Sequence, residues 1–150
     1  PLGRPHSPAS HYACYPSGRR VNTMIKAQFA IPGSIRSKKN SKRIVIAGKY
    51  PKLLPSKAHE RWEKPFRQEL WLECMQRRIK ITDQPVHVQA TFYYKGREPD
   101  LSGCMESLAD ACEGILWVDD KQIVSWDGTR KIHDKKNPRV EFAYREVAGS

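Results

Sequence analysis

The sequence predicts a mixed α/β domain, one β-sheet packed against two main helices, and three observations carry that prediction. Two segments alternate apolar and polar residues, Ile25 to Ile31 and Val86 to Tyr94, which is the period of a half-buried strand. Two others space their apolar residues by three and four, Ala58 to Leu70 and Leu101 to Ile115, which is the period of a helix with one buried stripe. The chain has 150 residues, of which 39% are apolar and 29% charged, enough for one core and too few for two.

Residues 1–23 are rich in Pro, Ser, Gly and Arg and show no period. They read as a flexible basic tail or as expression sequence upstream of a natural start at Met24, and residues 148–150 as a frayed end. The folded domain is expected over 24–147. Its first strand places Ile25, Ala27, Phe29 and Ile31 on one face and stops at Pro32-Gly33. A basic loop follows from Ser34 to Ser41, then a short second strand over Ile44, Val45 and Ile46, ended by Gly48. Ser56 is placed to cap a helix with Ala58, Trp62, Phe66 and Leu70 on one face. Pro65 inside that run either kinks the helix or opens a second one.

Val86, Val88, Ala90, Phe92 and Tyr94 form the clearest strand, broken by Gly96. The second helix is expected from about Leu101 to Glu113, with Asp100 at its N-cap and Gly114 just past its end. A strand over Gln122 to Trp126, a turn at Asp127-Gly128 and a returning strand come next. Val140, Phe142 and Tyr144 mark the last strand. The order is ββαβαβ with further strands at the end.

Composition excludes several classes. No run approaches eighteen apolar residues, so no helical membrane span is expected. No charged-then-apolar leader opens the chain, and the four Cys lack a C-x-x-C spacing, so secretion, a zinc site and a disulfide framework are not expected. The reading is intracellular and reduced. Charge points to a partner. Lys and Arg number 27 against 16 acids, a net charge of +11. Residues 1–49 hold ten cations and no acid, whereas the other 101 hold 17 cations and 16 acids. Such one-sided polarity suits a phosphate backbone, where binding releases counterions. Arg36, Lys38, Lys39, Lys42 and Arg43 are the expected DNA grip, with Lys49 and Lys52 beyond them. Their spacing suits phosphates rather than base edges. Trp117 and Trp126 either stack on exposed bases or lie in the core.

The acids concentrate elsewhere. Asp100, Glu106, Asp110, Glu113, Asp119 and Asp120 fall within 21 positions. Carboxylates beside DNA repel its phosphates unless a cation stands between them, and Mg²⁺, with Mn²⁺ as its substitute, takes hard oxygen ligands while keeping water positions for chemistry. Asp100 lies at the electropositive end of the second helix. Ser102, Glu106 and Asp110 share one of its faces. Asp120 opens the following segment, expected to return beside the helix N-terminus and so beside Asp100. Each acid also has a plain reading: Asp100 as a cap, Glu106 and Asp110 as a solvated face, Asp119-Asp120 as a polar lead-in.

The segment PDLSGCMESLADACEGILWVDDKQIV resembles the core motif of the RusA family of Holliday-junction resolvases. The likeness lies in Pro99-Asp100-Leu101, Leu108, Asp110-Ala111, Gly114, the aromatic Trp117, and Asp119-Asp120-Lys121-Gln122-Ile123, with twenty residues from Asp100 to Asp120. The order of elements from Met24 to Val147 fits as well. The resemblance implies a small homodimeric endonuclease that nicks four-way DNA junctions with Mg²⁺ in recombination and repair. It also implies cytoplasm or nucleoid, a bacterial or phage origin, and no small-molecule substrate. It assigns metal and catalytic roles to Asp100 and to Asp120 of the Asp119-Asp120 pair, and Asp119 is counted among the candidate catalytic acids beside them. It also exposes departures: Ser102 stands where the family has a second Asp, Gly103 where it has Asn, and Glu106 where it has Lys. One acid is lost at 102 and one gained at 106, a single turn away. Glu106 is therefore expected to supply the missing carboxylate to an ion held by Asp100 and Asp120, with Asp110 behind it. Lys121 is either a cation for the reacting phosphate or a surface charge. The competing reading is a weakened relative that occupies junctions without cutting them. An RNA-binding or purely structural protein stands third.

Overall fold

The computed structural model describes residues 26–37, 42–48, 50–55 and 57–147, with the strands at 42–47 and 50–55 described by their backbone. The elements are β1 (Ala27–Pro32), β2 (Lys42–Ala47), β3 (Tyr50–Pro55), α1 (Lys57–Arg77), β4 (Val86–Tyr94), α2 (Leu101–Cys112), β5 (Ile123–Ser125), β6 (Arg130–His133) and β7 (Arg139–Glu146). The expected α+β architecture is present: a mixed five-stranded sheet with two helices. The tail at 1–23, Lys38, Lys39, the capping Ser56 and residues 148–150 lie outside the described residues.

The sheet runs β1–β7–β4–β5, with β6 also on β4. β1 and β4 pair antiparallel with β7, placing Phe29 opposite Phe142 and Ala90 opposite Phe142 on the other side. The alternation read from sequence becomes alternating burial along both β1 and β4. On one face α1 stacks its buried stripe, with Trp62 4.9 Å from Phe66 and Phe66 6.3 Å from Phe142, ring to ring. Pro65 interrupts nothing: α1 is one helix of 21 residues. Pro65 is exposed, so the missing N–H leaves the Arg61 carbonyl to water rather than to a dry interior.

α2 buries Cys104, Leu108, Ala111 and Cys112, followed by Leu116 and Trp117. The Trp117 indole donates to the Ala109 carbonyl at 3.1 Å and sits edge-on to Tyr144. Trp117 is therefore core, and the stacking role open to it from sequence falls away. The thiols of Cys74, Cys104 and Cys112 are free and buried. Burial pushes Cys104 up to about 12, which suits packing rather than nucleophilic use.

Two elements differ from expectation. Tyr50–Pro55 is a strand, pairing with β2 as a separate two-stranded sheet with Gly48 at the bend. Its flanking prolines hide it from pattern reading. The segment after Asp127-Gly128 does not return as a hairpin. β5 and β6 both run parallel to β4, one after the other along the same edge. Between them Gly128 adopts φ +81, and a Cβ there would run into the Gln89 side-chain amide. The Thr129 hydroxyl accepts the Ala90 N–H at 3.2 Å, filling the gap in the ladder that the crossing leaves.

Candidate metal centre

α2 carries acids at both ends and between them. At its start Asp100 takes the N-cap position with extended backbone (φ −74, ψ 128) but makes no side-chain cap. Its carboxylate accepts instead from the Ser102 hydroxyl at 2.8 Å. The strand-to-helix approach is held by Lys131 of β6, which donates to the Pro99 carbonyl at 2.8 Å and pairs with Glu98 at 2.8 Å.

At its other end the helix is stopped by a compact turn. The Gly114 N–H reaches the Trp117 carbonyl at 2.7 Å, with Gly114 at φ +87, a backbone conformation that favours glycine. Arg67 from α1 closes this end, donating to the carbonyls of Ala111 at 2.7 Å and Glu113 at 3.0 Å. A guanidinium there satisfies the last carbonyls and offsets the negative end of the helix dipole.

The chain then enters Val118–Gln122, where one side chain sets the geometry. Gln122 accepts the N–H groups of Val118 at 2.8 Å and Asp119 at 2.9 Å on its amide oxygen. Its amide nitrogen donates to the carbonyls of Thr82 and Gln84, both at 2.9 Å. An amide has two donor hydrogens and two acceptor lone pairs, so Gln122 is fully engaged and staples this loop to the one before β4. Asp119 caps a short 3-10 turn over Asp120–Gln122, its carboxylate accepting the Lys121 N–H at 2.9 Å. The adjacent acids are thereby divided. Asp119 is bound into the backbone, and Asp120 is left to face α2.

The carboxylate that faces α2 meets two more. Asp110, Glu113 and Asp120 each offer an oxygen such that all three lie within 4.8 Å of one another. Oxygens on one Mg²⁺ lie at most about 4.2 Å apart, twice the usual bond of about 2.1 Å, so small side-chain rotations close the group on an ion. Electrostatics agree. The Asp120 carboxyl, though on an exposed residue, is raised above its ordinary value by partial desolvation, by its hydrogen bond with Asp119, and by repulsion from Asp110 and Asp119. Asp119 is lowered, first by the Lys121 N–H. Acids gathered at the negative end of a helix repel one another, and a cation relieves that repulsion. The donor set is all oxygen, which suits Mg²⁺ or Mn²⁺.

Of the residues expected to hold metal, Asp120 is in this group, while Asp100 and Glu106 are not. Asp100 precedes Asp110 by ten residues of helix, about 15 Å along its axis, and Glu106 is exposed between them. The chain returns to the C-terminal end of α2 because the turn at Gly114 and the pairing of Thr82 with Trp117 hold it there. Glu113 had no assigned role in sequence. The signal for it was its i, i+3 spacing from Asp110.

Among the expected DNA contacts, Arg36 is exposed and Lys121 is exposed beside Asp120. The Arg36 carbonyl accepts from the Ser107 hydroxyl of α2 at 2.9 Å and lies 3.1 Å from the His59 ring of α1. Arg36 thus sits at the flank of the acid-bearing helix. Lys42 and Arg43 lie on β2, described by its backbone.

A family model described as Endodeoxyribonuclease RusA matches residues 32–143, from the end of β1 into β7. No curated protein gives a significant match.

Proposed function

The chain belongs to the RusA endodeoxyribonuclease family, and from that premise we propose that it cuts four-way DNA junctions with Mg²⁺ or Mn²⁺, as a homodimer making paired nicks in recombination and repair. The observation that carries the metal part is the meeting of Asp110, Glu113 and Asp120. A divalent ion held there supplies Lewis acidity to water and to the scissile phosphate. Around it the chain's own groups do the positioning. Gln122 fixes the loop, Asp119 caps it, Arg67 anchors the end of α2, and Lys121 offers a cation to the phosphate. Two matched cuts require two centres, which a twofold dimer provides.

Asp100 and Glu106 form the other candidate set, with Asp120 common to both. The departures at Ser102 and Glu106 favour a second reading, a family member that holds junctions and cuts them weakly, because a Ser is a poor ligand for a hard cation. Comparing a labelled four-way junction with a linear duplex, in Mg²⁺ and in EDTA, separates the two. The nuclease reading expects symmetric nicks in the junction with Mg²⁺ alone, lost by at least a hundredfold in Asp120→Asn. Tight binding with no metal-dependent nicks establishes the second. Glu106→Gln, compared with Ser102→Ala, tests whether Glu106 replaces the missing acid, since normal cutting by Glu106→Gln removes it from the centre.

A further inference from the structure

α1 has two opposite faces with different chemistry. His59, Trp62, Phe66, Leu70 and Cys74 point into the protein. The opposite stripe, at spacings of four and three, is Lys57, Arg61, Lys64, Gln68, Trp71 and Met75, all exposed. It carries no acid. Its first half is cationic, and among the described residues none of the three cations is held in an ion pair. Its second half is apolar: Trp71 is 52% exposed and Met75 59%, with Leu72 beside them at 49%. Lone apolar residues on a surface are ordinary, whereas three contiguous with a run of cations are not.

The stripe flanks Arg67, which reaches the end of α2 that carries Glu113. Trp71 lies one turn beyond Arg67 on the same side of α1, and the Arg67 guanidinium is 3.0 Å from the Glu113 carbonyl. Lys64 lies one turn before it. A second copy of the chain fits this face poorly, since pairing α1 with itself offers its cations only like charge or Trp and Met. Phosphates fit the cationic half, and an aromatic face beside cations is a platform for an unpaired base. We propose that the outward stripe of α1 is a DNA-binding surface on which Lys57, Arg61 and Lys64 hold the phosphates of one arm while Trp71, one turn from Arg67, stacks on a base exposed at the branch point. This rests on the nuclease reading for its substrate and adds the element that would recognise branching.

The test is binding in EDTA, so that nothing is cut, to a four-way junction and to a linear duplex of equal length over a salt series. Trp71→Ala is expected to weaken junction binding about tenfold or more, with a much smaller effect on duplex, and Trp71→Phe to retain most of it. Changing Lys57, Arg61 and Lys64 together to Gln is expected to lower the slope of log affinity against log salt by about 2 to 3 for both DNAs. All the substitutions are on exposed positions, so Tm should stay near the parent value. Unchanged affinity in Trp71→Ala with an unchanged slope in the triple variant overturns the proposal. So does dissociation of a dimer by Trp71→Ala in sedimentation, which would assign the face to a second copy. If the parent protein shows no preference for junctions, the junction reading fails on its own, while a reduced duplex slope in the triple variant still upholds the grip by α1.

Discussion

At Asp120 ionisation is opposed by partial desolvation, by the hydrogen bond with Asp119 and by the nearby charges of Asp110 and Asp119. A carboxyl raised in the folded state destabilises it when ionised. That cost is absent below the ordinary carboxylate range and grows as pH rises through the raised folded value. Asp120→Asn should therefore raise Tm in EDTA at neutral pH, an effect that shrinks on acidification, and should abolish the further rise that Mg²⁺ gives the parent protein. Asp119 has the opposite sign. Its lowered carboxyl contributes stability above the ordinary range and loses it as pH falls through the folded value. As a capping residue it is expected to lower stability when changed to Ala, measurable by urea unfolding. Composition and spacing do not distinguish the two neighbours; the resemblance singles out Asp120, and the 3-10 turn gives the physical difference, binding Asp119 into the backbone. Likewise the acids of α2 were legible as a set. Their grouping was not, because it depends on which end of the helix the chain returns to.

Single contacts inherit their geometry from elements, and the edge of β4 shows this best. A hairpin was the natural reading of Asp127-Gly128 between two strand-like segments. Instead the chain crosses Gln89 and continues in the same direction, with Gly128 at the crossing. Gly128→Ala should destabilise by about 1 to 3 kcal/mol, from the positive φ and from the collision with Gln89. Adding Gln89→Ala should recover the collision part alone, and full additivity in the double variant would contradict the crossing. Gln122→Ala tests the other device, leaving two backbone donors and two acceptors without their side-chain partner. It should cost about 1 to 3 kcal/mol and lower the affinity of the carboxylates for metal. By contrast β1, β4, β7 and both helices were legible, because each buries one face and so prints a clean period. β3 was not, since Pro51 and Pro55 interrupt the pattern and its partner is a single strand.

For the whole molecule, charge and family belong together. The family match spans 32–143, and Arg36 lies at the flank of α2, where Ser107 and His59 meet its carbonyl. A positively charged approach to a cluster of acids is a workable arrangement only if a cation mediates between acids and phosphate. Junction affinity in EDTA is accordingly expected to fall steeply with salt, and a change of less than twofold between 50 and 200 mM, against the ~10³-fold or more typical of several phosphate contacts, would exclude electrostatic binding. The resemblance in sequence pointed to Asp100 and Asp120 as partners. In the folded chain oxygens of Asp120, Asp110 and Glu113 lie within 4.8 Å of one another, and an ion held by those three is what we propose. Calorimetric titration of Mn²⁺ into the parent protein and into Asp110→Asn, Glu113→Gln, Asp120→Asn and Asp100→Asn tests it most directly. Binding is expected in the parent and in Asp100→Asn, weakened at least tenfold in each of the other three. Binding lost in Asp100→Asn but intact in Asp110→Asn and Glu113→Gln would contradict it.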